Sequence, residues 1–235
     1  SQRGPTPIGS FRTPKVLMLP EPIDSIDDPR VEAYRNLRDR TLRGESLFVT
    51  EGRVLTLRLL RSRYDAESVF VAEPYLEEVL AVVQDRVPVY VAPERLLLEV
   101  VGFNFHRGIL AAGRRPPMPL LEDVLPPPGR PGPLRLVICP EITKPENMGL
   151  IFRTAGALGI DAVLLGERSC DPFSRRSLRV SMGAVLVVPF RKSTDLASDL
   201  LRLRQSWNVE LLATVLDPTA ERLPQISWPQ RAGLL

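Results

Sequence analysis

The segment KPENMGLIFRTAGALG (Lys144–Gly159) combines the pattern of a buried helix with two polar side chains that do not fit it. Its apolar residues recur at the spacing of one helix face: Met148, Ile151, Phe152 and Ala155. This spacing predicts an amphipathic helix that packs this face into a core, with Gly159 at its C-terminal end. Asn147 and Arg153 lie off that face, so packing alone does not explain them.

Glycines accompany Arg153 on the flank of this predicted helix. Gly149 and Gly156 share its strip of surface, so another group can approach the backbone closely there. One interpretation is a tight helix contact between domains or subunits, with Arg153 in an ion pair; another is a ligand that approaches the backbone there. Asn147 follows the apolar run LRLVICPE, where it is either an ordinary helix cap or a ligand contact beyond the end of a strand.

The residues on both sides of this segment predict an α/β fold. The runs LRLVICPE, DAVLLGE, GAVLVVPF and VELLATVLD are almost continuously apolar, as in a parallel sheet that is buried on both faces. Earlier in the chain SLFVTEG, SVFVAEP, VPVYVAPE and HRGILAAG alternate with helical stretches near 52–62 and 74–86. They predict a small parallel or mixed sheet covered by helices.

Composition changes along the chain indicate the domain boundaries. Residues 1–27 are proline-rich and aperiodic, so we expect a flexible arm. Residues 28–115 form the first predicted domain and begin with an aspartate-capped amphipathic helix. Residues 116–133 contain eight prolines and predict an extended linker. Residues 134–235 form the second predicted domain.

Charge and composition exclude several classes of protein. The net charge of +3 and the pI near 9.1 suit a polyanionic partner without requiring one. No long apolar run or secretory pattern is present, which favours the cytoplasm and no membrane partner. Cys139 and Cys170 are far apart and His106 is the only histidine, so we expect no metal site.

The segment around Arg153 resembles the first motif of the SpoU (TrmH-like) branch of the SPOUT RNA methyltransferases. These enzymes transfer a methyl group from S-adenosylmethionine to ribose 2′-hydroxyls. The matching residues are Asn147, Gly149, Arg153, Thr154, Ala155 and Gly159. Arg175–Phe190 resembles a later helix and strand of the family, and FVTEGRVLTLRLL and GFNFHRGILAAG resemble its substrate-binding domain. The likeness covers residues 28 to 235, with one departure at Lys144, where aspartate is frequent.

The resemblance implies a ribosomal-protein-like substrate-binding domain, followed by a parallel α/β SPOUT-type domain. It also implies S-adenosylmethionine as the cofactor, ribosomal or transfer RNA as the partner, and a homodimer of the complete protein. Two later motifs of the family, which form its C-terminal knot, are not found before the final QRAGLL. We therefore expect an incomplete knot and an inactive chain, in which only Ala213, Thr214 and Val215 contribute to the cofactor site.

The same resemblance suggests roles for several residues. Because a guanidinium is a reluctant base, we expect Arg153 to clamp an RNA phosphate and to stabilise alkoxide charge, while Asn147 shapes the loop. Two clusters are candidate RNA contacts: Phe103, Asn104, His106 and Arg107 in a loop, and Arg175, Arg176 and Arg179 on a helix. Core packing of both phenylalanines of the loop, Phe103 and Phe105, and a solvated arginine face are the respective alternatives.

Two other functions remain to be compared with methyl transfer. One is a catalytically inactive RNA-binding protein that retains part of the methyltransferase fold. The other is a nucleotide-dependent dehydrogenase, which the sequence disfavours because no G-x-G-x-x-G follows a strand and no P-loop is present.

Overall fold

Two five-stranded sheets, one in each half of the chain, organise the protein. The computed structural model describes residues 19–37, 46–84, 86–103 and 108–235. Residues 19–115, which carry the first sheet, are called the N-terminal unit here, and residues 116–235 the C-terminal unit.

The N-terminal unit is built on a mixed sheet, one of the two arrangements that the sequence predicts. Its strands are β1 (Glu21–Pro22), β2 (Leu47–Glu51), β3 (Ala66–Ala72), β4 (Val89–Ala92) and β5 (Ile109–Arg114). Its helices are α1 (Arg53–Leu60), α2 (Leu76–Leu80) and α3 (Glu94–Val101), with 3₁₀ helices at Pro29–Tyr34 and Glu73–Tyr75. The order is β1-β4-β3-β5-β2, in which β1, β4 and β3 are parallel and β5 is antiparallel to both of its neighbours.

The end of the predicted flexible arm belongs to this sheet. Glu21 and Pro22 pair with β4, and the backbone N–H of Ile23 donates to the carbonyl oxygen of Val91 at 2.8 Å. Ile23 is fully buried, so its apolar side chain anchors the segment. The prediction of a flexible arm is therefore wrong for these residues, while residues 1–18 lie outside the described part of the chain.

The helix predicted after Asp28 is a short 3₁₀ helix, Pro29–Tyr34. The Asp28 carboxylate accepts a hydrogen bond from the backbone N–H of Arg30 at 2.9 Å. Hydrogen bonds from the Arg30 side chain and backbone lower the pKa of this carboxyl group. The apolar residues Val31 and Tyr34 of this helix are fully buried, as is Leu37 just after it.

The C-terminal unit contains the predicted parallel sheet. Its strands are β6 (Leu134–Cys139), β7 (Ala162–Leu165), β8 (Phe190–Lys192), β9 (Glu210–Leu212) and β10 (Arg231–Leu234). Its helices are α4 (Leu121–Val124), α5 (Pro145–Leu158), α6 (Arg175–Val180) and α7 (Leu196–Trp207), with 3₁₀ helices at Ala184–Leu186 and Leu223–Gln225. The order is β8-β7-β6-β10-β9, and every pairing is parallel.

Alternating side chains of this sheet enter two different cores. Cys139 and Val163 face a core that also contains residues of α5, α6 and the N-terminal unit. Ile138 and Leu164 face the opposite core, beneath α4 and α7. Burial on both faces explains why these strands are almost continuously apolar.

The segment GAVLVVPF (residues 183–190) is not the single strand that its apolar run predicts. Ala184–Leu186 form a 3₁₀ helix, and only Phe190–Lys192 pair with β7. Met182 and Gly183 precede the 3₁₀ helix with φ values of 53° and 78°, in the left-handed region. This turn prevents the extended backbone that a longer strand requires.

The proline-rich segment 116–133 is docked on the C-terminal unit and is not an extended linker. It contains α4, and Leu121 and Leu125 are buried in the core beneath the second sheet. The carbonyl oxygen of Pro119 accepts a hydrogen bond from Arg191, and that of Pro126 accepts one from the Trp207 indole, each at 2.7 Å. Buried leucines and satisfied carbonyls thus hold a segment whose composition alone predicts extension.

Both units contribute to one continuous hydrophobic core. Phe173 of the C-terminal unit stacks on Phe48 of β2, with ring centroids 4.6 Å apart. It also meets Tyr64 edge-on at 5.4 Å and lies 5.5 Å from Phe190. Such aromatic pairs contribute about 0.5–1.5 kcal/mol each beyond the burial of their area. The units are therefore expected to unfold together.

Neither a membrane-spanning helix nor a cluster of metal ligands is found among the described residues. No helix there combines the length and apolarity needed to cross a bilayer. No group of three or more histidine, cysteine or acidic side chains there is placed to hold a metal ion. Burial raises the pKa of the Cys139 thiol to about 11, so this thiol is neutral near pH 7.

Replacing Phe173 should destabilise both units at once. We expect Phe173→Ala to lower the free energy of unfolding by about 3–5 kcal/mol, since it removes a buried ring and leaves a cavity between the units. Leu158→Ala is the control, because Leu158 is 68% exposed on α5 and its loss should change stability by less than about 0.5 kcal/mol. Urea unfolding followed by circular dichroism measures the stability of both variants. If Phe173→Ala is as stable as Leu158→Ala, the shared core is contradicted.

Candidate active site

The second sheet reverses its strand order at β6. From β6 the chain passes through α5 to β7 and β8 on one side, whereas β10 and β9 lie on the other side. Since all pairings are parallel, the carboxyl ends of the strands share one edge. Ligands of open α/β sheets bind beyond this edge, where the strand order reverses. The residues that follow β6 and β9, together with Leu235 after β10, are therefore placed to form a ligand site.

Negative charge is placed at the N-terminus of α5, which follows β6. Lys144 occupies the capping position without a side-chain capping bond, and Pro145 is the first helical residue. The Glu146 carboxylate accepts a hydrogen bond from its own backbone N–H and one from Arg176 Nε at 2.8 Å, and both lower its pKa. The helix dipole favours an anion there. Glu146 thus supplies the negative charge that Lys144 does not.

Asn147 is exposed in the first turn of α5 and is not its N-cap. The helix begins earlier because Pro145 is preorganised for the first helical position. From Asn147 to Arg153 an α-helix rises about 9 Å and rotates by about 240°. The two predicted catalytic residues therefore lie on different flanks of α5, and one chain does not bring their side chains together.

Arg153 is exposed beside a groove of about 530 Å³. The groove is lined by Arg58, Arg153, Gly156, Ala157, Ser181, Met182, Ala184, Val187 and Val188. Within the described residues, no hydrogen bond or ion pair engages the Arg153 side chain. The ion-pair interpretation therefore finds no partner in the described part of the chain, and the guanidinium remains available to a ligand.

The two glycines beside Arg153 have different surroundings. Gly149 is buried against α6, where an added Cβ would lie 2.6 Å from Val180 Cβ and 2.9 Å from the carbonyl oxygen of Ser177. Gly156 is exposed, and its Cβ would lie 3.4 Å from Val188. Gly149 therefore serves a helix contact within the C-terminal unit, and only Gly156 leaves room beside Arg153.

Arg175 holds the two units together and is not an open phosphate contact. Its guanidinium donates to the carboxylate of Glu51 and to the carbonyl oxygen of Leu37, both in the N-terminal unit. It also lies 5.3 Å from the centroid of the Phe103 ring. The Glu51 side chain is only 7% exposed, so this carboxylate requires its partner. The predicted role of Arg175 is corrected accordingly.

The other two arginines of α6 are more accessible. Arg176 is half-exposed in its ion pair with Glu146. Arg179 is exposed, and no hydrogen bond or ion pair of its side chain is present within the described residues. Arg179 therefore fits the predicted phosphate contact best, while Arg176 would have to leave its carboxylate partner.

The loop predicted to contact RNA lies largely outside the described residues. Asn104, His106 and Arg107 belong to the part that the structure does not describe. Phe103 is half-buried, packs against the core beneath α3 and supports the Arg175 guanidinium. Its core-packing alternative is therefore the one observed, because the ring already has a protein partner.

The predicted cofactor residues line a different groove, of about 610 Å³. Ala213, Thr214 and Val215 follow β9, and both the backbone N–H and the hydroxyl of Thr214 donate to the carbonyl oxygen of Leu235, at 2.9 and 2.6 Å. Leu234 of β10 also lines this groove. This groove opens at the carboxyl edge, beside the reversal of strand order, and its size suits a cofactor of moderate size.

Sequence reasoning missed Arg58, which reaches the Arg153 groove from α1. Arg58 Nη1 donates to the carbonyl oxygen of Met182 at 2.6 Å. No local pattern distinguishes this arginine from Arg53, the other exposed arginine of its helix. Its position beside Arg153 depends on how the two units pack.

Comparison with known proteins assigns the chain to a family. Residues 134–235 match the SpoU rRNA Methylase family. An uncharacterised tRNA/rRNA methyltransferase of Mycobacterium bovis is 35% identical over 207 residues, which cover 85% of this chain and 69% of that protein. The chain belongs to the SpoU rRNA methylase family.

Two further similar proteins extend this result. The 23S rRNA (guanosine-2′-O-)-methyltransferase RlmB of Acinetobacter baylyi is 29% identical over 178 residues, which cover 75% of this chain and 68% of RlmB. A crystal structure of an AdoMet-bound rRNA methyltransferase from Sinorhizobium meliloti matches 91% of this chain and 79% of its own with a TM-score of 0.74 at 24% identity. This likeness confirms the predicted α/β fold with a parallel sheet.

The two glycines of the SpoU motif helix should respond oppositely to alanine. Gly149→Ala should destabilise the protein by about 1–2 kcal/mol net, since the clash with α6 outweighs the gain in helix propensity. Gly156→Ala meets only ordinary contacts and should stabilise it by about 0.5–1 kcal/mol. Urea unfolding of the two variants checks the difference. A neutral or stabilising Gly149→Ala would contradict the close contact.

Arg175 and Arg176 are adjacent arginines with very different expected contributions to stability. Arg175→Met should lower the free energy of unfolding by about 3–5 kcal/mol, because it leaves the buried Glu51 charge unpaired. Arg176→Met removes an exposed pair and should cost less than about 1 kcal/mol. Thermal and urea unfolding provide the measurement, and similar losses for both variants would contradict the role assigned to Arg175.

Proposed function

We propose that this protein is an S-adenosylmethionine-dependent RNA 2′-O-ribose methyltransferase in which Arg153 binds the RNA next to the target ribose. The observation that carries the proposal is an exposed arginine on the helix of the family motif. It lies in a groove, without a partner among the described residues. The activity of the RlmB relative supports 2′-O-methylation, and the M. bovis relative supports ribosomal or transfer RNA as the substrate.

The segment after β9 is proposed to hold the methyl donor. The groove at Ala213–Val215 combines apolar side chains with backbone groups at the carboxyl edge, so the residues present fit a nucleoside-type cofactor. S-adenosylmethionine supplies an electrophilic methyl group on a sulfonium when it is bound there. Asn147 lies at the start of the helix after the neighbouring β6, where it is proposed to shape the loop beside this groove.

Arg153 is proposed to act on the acceptor and not as a base. Methyl transfer to a ribose hydroxyl is an in-line displacement, so the acceptor must be oriented and must lose a proton. A guanidinium stays protonated near neutral pH, but it binds phosphate through two parallel hydrogen bonds and stabilises a developing alkoxide. A phosphate oxygen of the RNA then receives the proton.

The separation of the two grooves supports the proposed homodimer. The residues that line the Arg153 groove and those that line the groove at Ala213–Val215 do not overlap. A second copy of the chain would allow Arg153 of one protomer to act on a substrate held near the cofactor of the other. The RNA-binding role of the N-terminal unit and a cytoplasmic location are part of the same proposal.

Further RNA contacts are proposed at exposed cations. Arg179 is available on α6, and Arg176 would have to exchange Glu146 for a phosphate. Asn104, His106 and Arg107 remain predicted contacts of the N-terminal unit. Phosphate contacts of this kind orient the RNA without reading its sequence.

The proposal predicts that Arg153 cannot be replaced even by lysine. In the protein as expressed from its gene, Arg153→Lys and Arg153→Ala should each lower the turnover number by roughly a hundredfold or more, because a point charge does not replace a bidentate donor. Binding of S-adenosylmethionine should stay near that of the unchanged protein. The assay is transfer of tritiated methyl groups to unmodified 23S rRNA and tRNA transcripts, with donor binding measured by calorimetry.

The control is Arg135→Ala, since Arg135 is exposed near the amino end of β6, away from the carboxyl edge. It should methylate normally. Normal methylation by Arg153→Ala would show that Arg153 is not part of the reaction. If the unchanged protein binds RNA but transfers no methyl group, the inactive RNA-binding alternative holds instead.

A further inference from the structure

A second arginine, contributed by the N-terminal unit, lines the groove of Arg153. Arg58 lies on the exposed side of α1, and its guanidinium reaches the turn that follows α6. There Nη1 donates to the carbonyl oxygen of Met182 at 2.6 Å. Arg58 and Arg153, which come from different units, thus lie on one surface depression.

The stem of Arg58 is held by close packing. An added Cβ at Gly183 would lie 2.9 Å from Arg58 Cδ and 3.1 Å from Leu55 Cδ2, so α1 rests directly on this glycine. Gly183 has a φ of 78° and Met182 a φ of 53°, which is unusual for a residue with a long side chain. Such conformations persist where the surroundings enforce them, and they cluster at functional sites.

The described lining of the groove carries positive charge without a compensating acid. Among the described residues, it includes two arginines and no aspartate or glutamate. The hydrogen bond of Arg58 goes to a neutral carbonyl, and no acceptor for Arg153 is present among the described residues. A guanidinium offers five N–H donors, so most donors of both side chains remain available to an anion. An anion that binds between these two positive charges reduces the repulsion between them.

The shape of the groove suits a polymer backbone. Its small residues, Gly156, Ala157 and Ala184, allow a close approach, while Met182 and Val187 expose apolar surface at 44% and 61%. Phosphate oxygens with a ribose beside them match this mixture of cations and apolar surface. A groove shared by two units also suits an extended ligand.

We infer that Arg58 and Arg153 clamp the RNA backbone jointly, with Arg58 as a phosphate-binding residue supplied by the N-terminal unit. This inference rests on the proposed function and adds a residue to its substrate site. Arg58 would position the RNA strand against Arg153 and would link capture of RNA by the N-terminal unit to chemistry in the C-terminal unit.

The test compares two arginines of the same helix. Each phosphate contact contributes about 0.7–0.9 to the slope of log K against log salt concentration. Arg58→Met keeps an unbranched stem on Gly183 but removes the charge, so the slope for unmodified 23S rRNA transcribed in vitro should fall by about one phosphate contact. Arg53→Met makes the same change in net charge, but Arg53 pairs with Glu78 and does not line the groove, so its slope should stay unchanged. Filter binding over a range of salt concentrations gives the slopes.

Further measurements separate the explanations. Circular dichroism melts show whether Arg58→Met folds; if it does not, Arg58→Gln, which keeps a donor for the Met182 carbonyl, carries the test. An unchanged slope for the folded Arg58 variant, or an equal fall for Arg53→Met, overturns the inference while leaving the methyltransferase proposal intact. If the unchanged protein shows no salt-dependent binding to unmodified 23S rRNA or to tRNA transcripts, RNA recognition itself is wrong and the inference fails with it.

Discussion

A buried carboxylate at the end of β2 sets the relative placement of the two units. Glu51 lies where an unpaired charge would cost several kcal/mol, and its partner Arg175 comes from the other unit. The same guanidinium also satisfies the carbonyl oxygen of Leu37. Because a guanidinium is planar and its donors are fixed in direction, these bonds tolerate little movement of α6 relative to β2. Every surface to which both units contribute therefore depends on this contact.

One segment of the C-terminal unit, residues 171–183, provides much of the contact with the N-terminal unit. Asp171 pairs with Arg115 at 2.7 Å, and Phe173 enters the aromatic cluster. At the other end of the segment, α1 packs directly on Gly183, which has no side chain to prevent this contact. Polar contacts alone would leave the interface open to water, whereas the aromatic core excludes it and strengthens the buried ion pair. This segment thus fixes the orientation of the two units and also buries the contact between them.

Local patterns were sufficient for elements whose information is periodic. The core position of Phe152 and the helix end at Gly159 follow from residues within a few turns, and both are confirmed. The strand prediction for residues 183–190 is wrong because apolar residues buried in a turn cannot be told from a buried strand by periodicity alone. The roles of Arg175 and Arg58 depend on contacts with Glu51 and Met182, each more than a hundred residues away. The sequence around an arginine does not indicate such distant partners. The structure within a helix or strand is therefore predictable from the sequence, whereas contacts between elements that are distant in the chain are not.

The position of β10 has a consequence for the order of folding. Residues 231–234 lie between β6 and β9, and Arg231 pairs with Leu134, which precedes it by most of the C-terminal unit. Until β10 arrives, β6 lacks its partner on this side, and β9, which pairs with β10 alone among the described strands, has no place in the sheet. During synthesis the unpaired edge of β6 is therefore a site for intermolecular pairing. Insertion of β10 is a long-range event that would slow folding.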